Sequence, residues 1–191
     1  MKTLDLIHTQ LFPTVVAHCC YTDLALKLLP YAQNFIKMQD NKDNGFNYKN
    51  TFRVKPPVSN LQKEFESFIA DVALAYWTSI GIKEEINGIT SFFSEMNAGG
   101  RHGRHSHPGS KLAGVFYLNA PETSSKIRFF DPRPHNDFLS YTYTAQSSIL
   151  RPIYEIKPYN GLFLIFPAWL SHETLTNETD NKRTTAVFNV W

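Results

Sequence analysis

The segment GGRHGRHSHPGSKLAGVFYLN (99–119) crowds three histidines, His102, His105 and His107, just ahead of a strongly β-forming run. In extended backbone, side chains two residues apart project to the same side, so His105 and His107 form a chelating pair at the mouth of that run. Two neutral imidazoles on one face can fill adjacent positions around a metal ion. His102, at an odd offset from His105, points elsewhere by the same parity and is expected outside the ligand set. A lone H-x-H equally describes solvated loop histidines, so the downstream residues decide its weight. NGLFLIFPAWLSH (160–172) brings His172 to a second strand end, immediately after an apolar run. Alone it would read as a hydrogen-bonded edge histidine. Arg183 then opens RTTAVFNVW. Turned outward it is a snorkelling surface group. Turned inward, its rigid fork suits a carboxylate, with the Thr185 hydroxyl on the same face. That inward version is an organic acid bound beside a metal.

The elements that must position these groups change character near residue 89. Before it, apolar residues at helical spacing predict a helix from Thr22 to about Met38, which Pro30 should kink or divide. Ser59 and Gln62 form an S-x-x-Q capping box ahead of the stripe Leu61, Phe65, Phe68, Ile69, Val72 and Tyr76, which stops at Gly81. The polar stretch DNKDNGFNYKN (40–50) reads as a surface loop. After residue 89, strands are expected at 89–96, 111–119, 126–131, 139–145, 153–158, 162–167 and 184–191, with Asn160-Gly161 as a tight turn. Helices first and strands afterwards predict an α+β fold, a sandwich or barrel of antiparallel sheets with helices on one outer face. There is no internal repeat or linker, so residues 1–191 read as a single domain, with 1–88 as mainly helical support and 89–191 as the core.

Composition excludes several classes. The chain has 191 residues, 42% of them hydrophobic, 14% aromatic and 19% charged, with a net charge of +2. Such a balance fits one globular domain and not a disordered chain. No apolar run approaches the roughly 18 residues of a membrane span. A net charge so near zero gives no nucleic-acid footprint. Cys19 and Cys20 are adjacent, a poor arrangement for bridging each other, and the N-terminus shows no signal-peptide pattern, so a reducing, cytoplasmic setting is expected. Exposed sheet edges leave room for a homodimer.

As an ordered set, H-x-H, KLAGVFYLN, KIRFFDPR, GLFLIFPAWLSH and R-x-T resemble the double-stranded β-helix (jelly-roll, cupin-like) core of the Fe(II)- and 2-oxoglutarate-dependent oxygenases. They are most similar to a subgroup from bacteria and phages with H-x-H-P ahead of a G-V-(F/Y)-Y-L strand. The resemblance covers roughly residues 89–191. It implies an enzyme that uses Fe(II), 2-oxoglutarate and O2, releases succinate and CO2, and usually hydroxylates a small-molecule or peptide substrate. By position it implies His105 and His172 as iron ligands, Arg183 as the anchor for the far carboxylate of 2-oxoglutarate, and Thr185 beside it. Tyr117 stands where several relatives use a tyrosine hydroxyl on that carboxylate, or else is a core aromatic.

The departure lies at the acid. His107 occupies the place of Asp in the usual H-x-D, giving three histidines unless another residue contributes. Such a face leaves as many open positions as a 2-His-1-carboxylate triad but adds one positive charge to the complex, which should weaken Fe(II) retention. Asp131 in FFDPR is the nearest substitute carboxylate, or a turn residue before Pro132. Arg101, Arg104 and Lys111 surround the site with charge, His135 belongs to a loop, and Asn97 and Trp169 are candidate lining groups. Further pocket residues are expected from the loops 40–58 and 132–152. Two other classes stay open at this stage: a three-histidine cupin-like dioxygenase that does not use 2-oxoglutarate, and a non-catalytic jelly-roll binding module.

Overall fold

A computed structural model describes residues 12–39, 48–52, 54–133 and 151–191. His135 and the strand expected at 139–145 lie outside these residues. In chain order the elements are β1 (Ala17–Cys20), α1 (Thr22–Met38), β2 (Tyr48–Asn50), α2 (Asn60–Ser79), β3 (Ile89–Met96), β4 (His102–His105), β5 (Leu112–Asn119), β6 (Ile127–Phe130), β7 (Ile153–Ile156), β8 (Leu162–Pro167), β9 (His172–Thr174) and β10 (Arg183–Val190). They form two antiparallel sheets, a six-stranded one ordered β1-β8-β5-β10-β3-β2 and a four-stranded one ordered β4-β9-β6-β7. The α+β class and the two antiparallel sheets agree with the sequence pattern.

The central strands of the large sheet read as nearly continuous apolar runs because both of their faces are covered. Along β8, Phe163 and Ile165 join the helix-facing core, whereas Leu162, Leu164 and Phe166 join the second core. In β5, Leu112, Phe116 and Leu118 face the helices and Ala113 and Tyr117 the other way. The helical layer contributes Leu28, Phe35, Phe65 and Ile69 to the first of these cores, in which Phe65, Phe93, Phe116, Phe163 and Phe188 are all fully buried. Each such phenyl ring contributes about 1.5–3 kcal/mol relative to exposure. Gly114 is required by close approach, since a Cβ there would lie 2.1 Å from the Phe188 ring and 2.3 Å from the Leu164 carbonyl oxygen.

The first half is less purely helical than its sequence suggests. β1 and β2 add to the two edges of the large sheet, so residues 17–20 and 48–50 are part of the sheet and not only its support. Tyr48, expected in a surface loop, is buried. α1 runs unbroken through Pro30. Pro30 and Leu26, whose carbonyl loses its i+4 donor, are both exposed, which leaves that oxygen on the watered side of the helix. At α2 the Ser59 Oγ accepts from the Gln62 backbone N–H at 3.0 Å, but the reciprocal half of the capping box is not made. Gln62 Nε2 instead donates to Glu66 Oε1 at 2.8 Å and to Ser91 Oγ of β3 at 3.0 Å, tying the helix to the sheet. Asn160-Gly161 forms the expected turn into β8, with Gly161 at φ 84°.

Candidate metal and carboxylate site

Two paired strands of the small sheet bring distant histidines together. His105 ends β4 and lies directly across from His172, the first residue of β9. His107 is not at the mouth of β5; it sits in the connection beyond β4, where its backbone N–H donates to the Ala168 carbonyl at 2.8 Å. One ring nitrogen from each of His105, His107 and His172 lies within 4.8 Å of the other two. His105 Nδ1 is 2.7 Å from the Gly103 carbonyl oxygen and His172 Nδ1 is 2.9 Å from that of Leu170. A carbonyl can only accept, so each Nδ1 carries the proton and each Nε2 keeps a lone pair. His107 Nε2 faces His172 Nε2 at 3.4 Å.

These imidazoles are neutral at pH 7. Burial, with help from His105, depresses the pKa of His107 to about 4, and burial with neighbouring histidines takes His172 to about 3. Burial also lowers His105. Neutral imidazoles, two of them with fixed tautomers, and clustered ring nitrogens suit a divalent transition-metal ion.

His102 departs from the parity expectation. It lies outside the group of three, but its ring does not point away: it stacks on His105 with centroids 4.0 Å apart and on Tyr48 at 5.3 Å. The cause is a register shift in the β4–β9 pairing, where His102 opposes Thr174 and His105 opposes His172. Three positions on β4 thus span two on β9, and the extra residue cancels the odd offset.

Arg183 points inward. It is 4% exposed, with Nη1 on the Ser125 Oγ at 3.1 Å, Nη2 against the Met96 sulfur at 3.3 Å and a buried Nε that has no partner among the described residues. No carboxylate forms an ion pair with it among the described residues. A buried guanidinium without a counter-ion is costly, and an incoming carboxylate relieves that cost. Thr185, two residues on, shares a 3.0 Å hydrogen bond with Ser94, its register partner on β3. Tyr117 is buried, with the Arg183 guanidinium 5.8 Å from its ring centroid, and burial pushes its phenol up to about 12. It therefore stays protonated near neutral pH. One cavity is lined by the three histidines together with Arg183, Thr185 and Tyr117. A wider pocket of about 560 Å³, lined by Arg101, Gly103, Glu173 and Thr176, shares Tyr48, His102 and Thr174 with it.

Several expected residues fall elsewhere. Asp131 does not join the histidines; its carboxylate accepts from Arg133 Nε at 2.9 Å, a turn arrangement that also uses the Arg133 backbone N–H. Arg104 lies over the Phe130 ring and donates to Ser171, and Lys111 pairs with Glu84. Asn97 offers its carbonyl to Asn177, and Trp169 is 56% exposed; neither lines the cavity. Tyr48 and Ser94 were not singled out from the sequence. Tyr48 does fall in the 40–58 span expected to line the pocket, and Ser94 is a polar residue inside an otherwise apolar strand.

Solved structures share this fold. The chain is similar to a Pseudomonas putida prolyl-4-hydroxylase at 13% identity, covering 93% of this chain and 92% of that one with a TM-score of 0.66. It is similar to a Trichoplax adhaerens prolyl hydroxylase, solved in complex with a hypoxia inducible factor oxygen degradation domain peptide fragment, at 12% identity, 92% and 83% coverage and TM-score 0.64. HygX from Streptomyces hygroscopicus, solved with nickel and 2-oxoglutarate bound, matches at 11% identity, 93% and 82% coverage and TM-score 0.54. At these identities the likeness is one of fold, and that fold is the double-stranded β-helix expected from the sequence motifs. No curated protein matches the chain. The family model described as "Putative 2OG-Fe(II) oxygenase" matches residues 90–189, a span that runs from β3 to β10 and takes in the three clustered histidines and Arg183. On that match, over more than half of its length, the chain belongs to the 2OG-Fe(II) oxygenases.

Proposed function

We propose that His105, His107 and His172 hold Fe(II), that Arg183 and Thr185 hold the far carboxylate of 2-oxoglutarate, and that the enzyme hydroxylates a small-molecule or peptide substrate reaching the centre through the outer pocket. The observation that carries this reading is the pairing, in one cavity, of three converging neutral imidazoles with a buried guanidinium that has no carboxylate partner among the described residues. When bound, iron and 2-oxoglutarate supply O2 activation coupled to oxidative decarboxylation of the cosubstrate to succinate and CO2.

The chain's own contribution is orientation and exclusion of water. The Gly103 and Leu170 carbonyls fix two imidazole tautomers. Arg183 supplies up to two parallel N–H donors to a carboxylate, and the neighbouring Thr185 hydroxyl supplies a third. Tyr117 keeps its proton and so can donate to the same anion without competing as a phenolate. Phe166, Val115 and Val187 provide apolar wall that keeps the cavity dry. A residue range of 1–191 acting as one domain completes the reading.

Metal titration tests the ligand set. Wild-type protein should bind one Fe(II) anaerobically, and single alanine replacements of His105, His107 or His172 should each weaken binding by about tenfold or more while leaving the circular dichroism spectrum intact. Undiminished binding in any one of them removes that residue from the set. A product heavier than its substrate by one oxygen atom would identify hydroxylation, and oxygen uptake that ignores 2-oxoglutarate would oppose the cosubstrate assignment.

A further inference from the structure

Each imidazole of the cluster needs a partner for its outward nitrogen, and two of them find it in a backbone carbonyl two residues earlier, Gly103 for His105 and Leu170 for His172. Among the described residues His107 has no such carbonyl. Its Nε2 faces His172, which leaves Nδ1 directed away from the cluster. The Asn189 side chain lies near this ring. The Asn189 Oδ1 is itself buried and has no hydrogen-bond partner among the described residues.

The position follows from strand parity. On β10, Ala186, Phe188 and Val190 face the helices, whereas Arg183, Thr185 and Val187 line the cavity. Asn189 continues that inner row, and its register partner Ala113 belongs to the inner core. The His107–Lys111 connection closes over this end of the strand, anchored by Lys111 N–H on the Val190 carbonyl at 2.8 Å. A single strand face therefore carries a carboxylate anchor at one end and an unsatisfied amide oxygen beside the third histidine at the other.

We propose that Asn189 is the positioning residue for His107: its amide oxygen accepts the Nδ1–H of that imidazole and so presents Nε2 to the metal. The inference rests on the reading of His107 as a ligand. A neutral acceptor here holds the tautomer without adding charge, so the metal site stays composed of three neutral donors and takes a divalent cation at full charge. The same contact explains why a polar residue ends an inner row that is otherwise sealed at Val187.

Zn(II) serves as a diamagnetic probe. In Zn(II)-loaded wild-type protein, the His107 Nδ1–H should give a ring-NH resonance protected from exchange with water, assigned by its disappearance in His107→Ala. Asn189→Leu should abolish that protection and weaken Zn(II) binding by about 10–100-fold, whereas Asn189→Asp, which keeps an acceptor in place, should restore both. An unprotected His107 Nδ1–H in the wild-type protein overturns the inference, and this measurement does not depend on whether the leucine variant folds. Wild-type Zn(II) affinity in a folded Asn189→Leu protein overturns it as well. The two levels separate through His107→Ala: unchanged Zn(II) affinity there refutes the ligand reading itself. Lost affinity in His107→Ala beside unchanged affinity in Asn189→Leu refutes only the role of Asn189.

Discussion

Three histidines replace the two histidines and one acid expected of the H-x-D pattern, and His107 and Asp131 can be told apart by substitution. Asp131 is held by Arg133 away from the histidines, with its own side chain only 8% exposed, so Asp131→Asn should leave metal affinity unchanged and cost about 1–3 kcal/mol of stability, as for a charged hydrogen bond to a largely buried carboxylate. Loss of metal in that variant, measured by calorimetric titration, would return the carboxylate to the site. Arg183→Gln removes the charge but keeps a polar side chain. It should weaken 2-oxoglutarate binding by about 10–100-fold, the worth of a charged hydrogen bond, and leave metal affinity intact. That His105, His107, His172 and Arg183 meet was legible from the order of their motifs along the chain, although His107 lies beyond the end of β4 and so outside the extended backbone that the parity argument assumed. His102 was misjudged for the same reason: parity holds only in regular strand, and a bulge is set by pairing with β9, which the sequence of β4 does not display. Tyr48 reached the site from a polar stretch whose burial is created by a partner strand far along the chain.

Long elements were read closely, and among the short strands only β6 and β7 were. β3 and α1 fall where apolar spacing placed them, since eight or more residues give periodicity enough repeats to register. β2 and β9 have three residues each, and β9 is the polar triplet HET, so neither carries a periodic signal. Their strand state comes from hydrogen-bonding neighbours, Tyr48–Asn50 against β3 and His172–Thr174 between β4 and β6. The pairing of β5 with β10 and β8 offers a direct probe of the sheet. Gly114→Ala must displace either the Phe188 ring or the Leu164 backbone, and a loss of about 1–3 kcal/mol is expected from overpacking. A melting temperature equal to that of the wild type would mean that the two strands are spaced more loosely than described.

At the scale of the whole molecule, the helices and the two edge strands supplied by residues 1–88 cover one face and both margins of the large sheet. Removing them exposes Phe93, Phe116 and Phe188, so a fragment of residues 89–191 should be insoluble; a soluble, active fragment would contradict the single-domain proposal. Acid should destabilise the metal-free protein. His102, His107 and His172 have pKa values of about 4, 4 and 3 in the folded state, against roughly 6.5 in an unfolded chain. The unfolded state then binds more protons, so stability is full above about pH 6.5 and falls as pH drops toward the folded values. Calorimetry of the metal-free protein between pH 7 and 4.5 would show it as a falling melting temperature. None of the helices among the described residues is long and apolar enough to cross a membrane.

The cosubstrate assignment meets its most direct trial in an anaerobic titration of the Fe(II) protein with 2-oxoglutarate, followed by admission of O2. The arrangement of His105, His107, His172 and Arg183 in one cavity predicts a visible charge-transfer absorption that saturates at one equivalent, absent in Arg183→Gln at the same concentration, and succinate formation once oxygen enters. An iron-loaded protein that gives neither the absorption nor succinate would contradict the account.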